Sequence, residues 1–226
     1  MEWTLQQQGF DLCYDKRLYD RLAHRPAESV RGHLEADAAY QERLIRFIEN
    51  HDEPRAAVAF GPAQARAAAV AMSTLPGARL YHDGQLEGRR THIPVFLGRG
   101  PDEPADSELR AFYAGLLRAV AEAGLREADW RLCDCTGWPD NDSHRRLVAW
   151  CWSSTESRHL VAVNLSDAPA TARVRLPWHD PAGRSWTLTD RLDGRRFERV
   201  GDELAGEGLY VALDPWASHF LAFAAR

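Results

Sequence analysis

The sequence predicts an α/β segment followed by an all-β one, and three observations carry that reading. Up to about Ala128, short apolar runs alternate with helical stretches. From Asp129 onward the helical periodicity stops and short β-runs separated by turn residues take its place. No internal repeat or low-complexity tract crosses the change, so the chain divides into residues 1–128 and 129–226.

In the first segment, Gly9 to Tyr14 reads as a buried strand, followed by a short helix from Lys16 to Ala23 with Leu18 and Leu22 one turn apart. Residues 36–43 read as a helix or turn. Leu44 to Ile48 is a second strand, ended by the polar run Glu49-Asn50-His51-Asp52. Pro62 opens an alanine-rich helix to about Met72, because proline is tolerated in the first turn. Pro76-Gly77 breaks the chain before a third strand, Ala78 to Tyr81. Ser107 is expected to cap a long amphipathic helix through Leu109, Phe112, Leu116 and Val120. Such alternation builds either an open doubly wound sheet or a barrel, and periodicity does not choose between them.

The second segment offers seven strand candidates, near 130–135, 147–152, 160–164, 172–176, 186–190, 209–213 and 218–223. Their period and turn signals are those of a small antiparallel β-sandwich with its own core.

Composition narrows the function classes. A net charge of −5 argues against nucleic acid or an acidic membrane surface as partner. No apolar run approaches the length of a membrane span, and the first eight residues lack the apolar core of a signal peptide. The four cysteines and nine histidines show no metal-ligand spacing, so no metal or cofactor is expected. Cys133 and Cys135 share a face of one expected strand. Reduced structural thiols are expected, which fits a cytoplasmic protein. His144, His159, His179 and His219 read as surface or satisfied core residues. Most of the eight tryptophans read as core; Trp138, between Gly137 and Pro139, is the best candidate for an exposed sugar-stacking ring.

The sharpest local feature is Phe47-Ile48-Glu49-Asn50-His51-Asp52-Glu53-Pro54-Arg55. A parallel strand ending in a dense polar cluster is how α/β active sites are built, and these groups suit a polyhydroxylated substrate whose reaction centre turns positive. Phe47 to Asp52 resembles the Phe-x-x-Asn-His-Asp motif that follows the seventh barrel strand of the α-amylase superfamily. Glu53-Pro54-Arg55 and Phe60-Gly61 look like its α-glucosidase-like branch. Gly9 to Lys16 resembles the sixth strand and its loop, and Leu75 to Tyr81 with Gly84-Gln85 resembles the eighth.

The resemblance implies the last strands of a (β/α)8 TIM barrel, hence a partial barrel with parallel strands, followed by a C-terminal β-sandwich domain. It implies a retaining glycosidase acting on α-glucosidic bonds, with an α-glucan or maltooligosaccharide as substrate. Asp52 would be catalytic, stabilising the transition state by gripping hydroxyls of the sugar being cleaved. His51, Asn50 and Arg55 would bind substrate. The superfamily's nucleophile and acid/base Glu follow its fourth and fifth strands, upstream of anything matched here. A C-terminal fragment, inactive alone and partnered by the missing N-terminal barrel portion, is therefore expected. Asp11, Asp15 and Asp83 read instead as caps, turns or salt bridges. The alternatives are a non-catalytic carbohydrate- or partner-binding module, or an inert remnant.

Overall fold

Short apolar runs flanked by helices build three parallel strands in residues 1–128. The computed structural model describes residues 1–178 and 180–226, so His179 lies outside the described residues. Strands β1 (Cys13–Tyr14), β2 (Leu44–Arg46) and β3 (Ala78–Arg79) form one sheet in that order. Cys13 lies beside Leu44, and Ile45 beside Ala78, in parallel register. The strands are shorter than the apolar runs that predict them. Gly9 and Phe10 instead close helix α1 (Glu2–Gln7), with the Phe10 N–H donating to Leu5 O. Phe47 and Ile48 continue past β2 as buried but unpaired backbone.

Helices α2 (Lys16–His24), α3 (Ala27–Leu34) and α4 (Ala38–Glu42) connect β1 to β2. Helices α5 (Ala56–Ala59) and α6 (Pro62–Thr74) connect β2 to β3, and α7 (Ser107–Ala123) follows β3. Asp106, not Ser107, caps α7: its carboxylate accepts from the Leu109 N–H, and Ser107 is already helical. Three strands do not close a barrel, and β1 and β3 have no second neighbour among the described residues.

Inside this sheet lies a buried polar network. Asp15 caps α2 through the Leu18 N–H at 3.1 Å and pairs with Arg46 Nη1 and with His33 Nε2, the latter at 3.0 Å. Arg46 is fully buried and also donates to Gln41 Oε1 at 2.5 Å and to Pro76 O at 3.0 Å. Asp15 is thus the cap and ion pair expected of it.

Residues 129–226 form two antiparallel sheets. The larger runs β10 (Arg196–Val200), β9 (Ser185–Asp190), β12 (Ser218–Ala225), β7 (Arg158–Asn164), β6 (Leu147–Ser153), β4 (Asp129–Cys133). The smaller runs β11 (Leu209–Leu213), β8 (Ala170–Val174), β5 (Cys135–Thr136). A short helix α8 (Gly201–Gly206) joins β10 to β11. The strand expected near 130–135 breaks at Asp134, where the chain passes from the larger sheet to the smaller. Cys133 and Cys135 therefore lie in different sheets, yet both point into the same apolar cluster.

The central strands β6 and β7 are buried on both faces, which is why they read as continuous apolar runs. Leu147, Ala149, Cys151, Leu160 and Ala162 face the smaller sheet. Val148, Trp150, Trp152, Val161 and Val163 share a second cluster with Val70, Met72 and Leu116 of α6 and α7. Both tryptophan Nε1–H groups donate to Thr74 O, at 3.2 and 2.7 Å, satisfying a carbonyl that the end of α6 leaves free.

Candidate active site

The loop after β2 carries the Asn50-His51-Asp52 run at the C-terminal end of a central parallel strand. Asn50 is buried, and its Oδ1 accepts from the Asp52 N–H at 2.8 Å and the Glu53 N–H at 3.0 Å. This Asx turn reverses the chain and leaves the next two side chains outside. His51 and Asp52 are both exposed and adjacent, with Nε2 3.3 Å from Oδ2. His92 Nε2 lies 3.0 Å from His51 O and ties the loop to residues 89–97 beyond it.

Beneath them is a group that sequence reasoning missed. The buried Glu49 carboxylate accepts from the Ala56 N–H at 2.6 Å, the first turn of α5. Its Oε1 meets Arg55 Nη1 at 3.0 Å and His82 Nδ1 at 3.3 Å. Burial pushes Glu49 up to about 7, against the opposing pull of the Ala56 N–H and the Arg55 charge. Burial and the same arginine push His82 down. Arg55 is itself buried, and Nη2 donates to Asp83 O at 2.7 Å. It packs so closely on Gly84 that a Cβ there would lie 2.4 Å from Nη2; with φ at +83°, only glycine suits the position. Gln85 is buried as well and donates to the Tyr113 hydroxyl at 3.0 Å.

The four predicted site residues therefore share one loop in two layers. His51 and Asp52 face solvent, while Asn50 and Arg55 are folded beneath them. A concavity of about 290 Å³ opens beside His51 and Arg55, lined also by His82, Asp83 and Arg89 and by Ile93, Pro94, Val95 and Leu97. Apolar residues with a few polar groups among them are the usual lining of a small-molecule site. Glu49 could have been suspected from its place between the apolar Phe47-Ile48 and the Asn-His-Asp run; His82, about thirty residues after the motif, carries no local signal. No group of three or more His, Cys, Asp or Glu among the described residues is arranged to hold a metal ion.

No family model matches the chain. The α-amylase MalA of Haloarcula japonica is 30% identical over 204 residues, covering 85% of this chain. The chain is a homologue of part of that α-amylase. As such it spans only part of its relatives, 28% of MalA. Solved α-amylases agree in fold. The noncanonic maltogenic α-amylase AmyB of Thermotoga neapolitana superposes with a TM-score of 0.77 at 15% identity, over 99% of this chain and 53% of that one. The Geobacillus thermoleovorans α-amylase complexed with acarbose gives 0.75 at 15% identity, over 99% and 51%. This α-amylase homologue thus has the fold of about half of each of those chains.

Proposed function

We propose that the chain supplies the C-terminal portion of a retaining α-amylase-type glycoside hydrolase: the last strands of its (β/α)8 barrel and a C-terminal β-sandwich domain. Its substrate is an α-glucan or maltooligosaccharide. The observation that carries this reading is the Asx turn at the end of β2, which presents His51 and Asp52 side by side, with His51 lining a concavity. Asp52 grips hydroxyls of the sugar as the oxocarbenium-like centre forms, and His51 hydrogen-bonds the same sugar. Asn50 and Arg55 serve the site through position. One shapes the turn, and the other anchors its base to Glu49 and Asp83.

Retaining chemistry needs two carboxyl groups roughly 5–5.5 Å apart, one to form the glycosyl-enzyme and one to protonate the leaving oxygen. The carboxylates nearest Asp52 along the chain are otherwise engaged: Glu49 is buried against Arg55, and Glu53 pairs with Lys16 at 3.1 Å. By the α-amylase resemblance, the nucleophile and acid/base follow the fourth and fifth barrel strands, upstream of the strands matched here, so on this reading both come from outside the 226 residues and the chain by itself is catalytically silent. Four free buried thiols support a reducing, cytoplasmic setting.

The test is kinetic, in a fusion of this chain to the barrel half that precedes the corresponding strand of an α-amylase. Asp52→Asn should lower kcat on an aryl α-glucoside by about 10²–10³-fold, the usual cost of losing one transition-state contact. Unchanged kcat in that variant would remove Asp52 from the mechanism.

A further inference from the structure

His82 stands in the wall of the concavity beside His51, and the motif reading does not use it. It follows β3, at the same rim of the parallel sheet where β2 delivers Asn50, His51 and Asp52. Its backbone is pinned from below. The His82 N–H donates to Gln85 Oε1 at 3.2 Å, and His82 O accepts from the Gln85 N–H at 2.9 Å. Gln85 is buried and donates in turn to the Tyr113 hydroxyl at 3.0 Å. The ring is thus set in place by the core under the loop.

One ring nitrogen is engaged within the protein. Nδ1 lies 2.6 Å from Arg55 Nη1 and 3.3 Å from Glu49 Oε1. A guanidinium donates and never accepts, so the shorter contact decides the tautomer: Nδ1 accepts from Arg55, and the ring proton sits on Nε2. A second proton on the ring would set donor against donor and cation against cation at 2.6 Å. Burial, and then the Arg55 charge, hold His82 below its ordinary value of 6.5, with His51 and His92 adding to the push and Asp83 opposing it. Glu49, pushed up to about 7, brings no full negative charge to the ring in acid.

The other nitrogen is free. The His82 side chain is 30% exposed, enough to reach the space that it lines, and Nε2 has no hydrogen-bond partner among the described residues. Arg55 is turned inward on Glu49 and the Asp83 carbonyl, and Arg89 pairs with Asp83 at 3.2 Å. The Nε2–H is therefore a donor of fixed direction with no protein group competing for it. A neutral donor in a wall shared with Ile93, Pro94, Val95 and Leu97 matches a sugar hydroxyl, which offers a lone pair and no charge.

We propose that His82 is a further substrate-binding residue of the Asp52 site: Arg55 locks it as the neutral Nε2–H tautomer, and that N–H donates to a hydroxyl of the bound α-glucan. The choice of an α-glucan rests on the catalytic reading above; the lock does not. The contact is made before and during reaction alike, so it strengthens binding and leaves the chemical step to other groups.

The test is nitrogen-15 NMR of the purified chain labelled at histidine, with the His82 signals assigned by their loss in His82→Gln, followed by titration with maltotriose. His82 should carry its proton on Nε2, titrate below 6.5, and shift as the sugar binds. His82→Leu should bind maltotriose about tenfold more weakly, by the same factor at about pH 6.5 and about pH 8. His82→Gln, whose side-chain amide restores a neutral donor, should stay within about threefold of wild type. A proton on Nδ1, or a ring half-protonated at 6.5 or above, would overturn the lock. The contact would be overturned by wild-type affinity in a His82→Leu variant that melts like wild type, or by His82 signals that maltotriose does not move. The two readings fail separately in the half-barrel fusion. There His82→Leu should raise KM about tenfold with kcat within about twofold, whereas Asp52→Asn acts on kcat. Normal KM in the His82→Leu fusion would remove His82 alone; unchanged kcat in the Asp52→Asn fusion would remove the catalytic reading and leave a sugar-shifted His82 standing.

Discussion

Glu49 and Asp15 are both buried carboxyls, and they are held in opposite ways. Glu49 is desolvated beyond what the Ala56 N–H and Arg55 return, so in the folded chain it keeps its proton up to about 7, against 4.5 when unfolded. Between those values the folded state binds more protons, so this group lowers stability as pH rises. Glu49→Gln should therefore flatten the fall in thermal midpoint between pH 4.5 and 7 relative to wild type; parallel curves would show that Glu49 is ionised throughout. For Asp15, burial is also the largest influence and pulls upward. The His33 hydrogen bond and the Arg46 charge outweigh it and hold the carboxyl below its usual range. Its contribution is thus present above the unfolded value of 3.8 and lost as pH falls through the folded one. Arg46→Met strands the buried Asp15 charge and should cost about 3–5 kcal/mol in urea unfolding at neutral pH. A loss below about 1 kcal/mol would mean that the network is a spectator.

At the scale of elements, the larger antiparallel sheet is shared property. One face of β6 and β7 builds the cluster with the smaller sheet, and the other packs on α6 and α7. Trp150→Ala removes a fully buried side chain that bonds Thr74 O, and should destabilise the whole chain by about 3–5 kcal/mol in a single transition. Two separate transitions would show that the helices and the sheets melt independently. Much of this was legible in the sequence. Apolar runs and punctuation mark the three strands, near Phe10, Phe47 and Leu80, and the long helices; the paired segments, Cys13–Tyr14, Leu44–Arg46 and Ala78–Arg79, are shorter and shifted along those runs, and the parallel order is implied only by the motif resemblance. What periodicity missed has physical causes. β10 alternates exposed with half-buried positions at a sheet edge and is rich in arginine and glutamate, so it carries no apolar stripe. α3 does carry one, at Ala27, Val30 and Leu34, but begins beside Arg25-Pro26, which reads as a break. The crossing at Asp134 is invisible because Cys133 and Cys135 obey period two on either side of it.

For the whole molecule, the candidate site was legible in one part and hidden in another. Asn50, His51, Asp52 and Arg55 stand together in sequence, and the motif resemblance singles them out. That Arg55 lies beneath the exposed pair depends on Glu49, just after β2, and on His82 and Gly84, brought in by the chain after β3. Among the described residues the three-stranded parallel sheet has open edges at β1 and β3, and beside β3 a concavity of about 560 Å³ is lined by Arg79, Tyr81, Leu125 and Trp152. Open strand edges favour pairing with further strands. The central claim is that this chain brings the Asp52 loop to an α-glucan while the nucleophile and proton donor are supplied from outside it. The most direct measurement is nitrophenol release from an aryl α-glucoside by three proteins side by side: the purified chain, its fusion to an upstream α-amylase half-barrel, and the same fusion carrying Asp52→Asn. The account predicts release by the unmodified fusion, release about 10²–10³-fold slower by the folded variant fusion, and none by the chain alone. Release by the 226-residue chain above its own Asp52→Asn control would place the catalytic pair within these residues and contradict it.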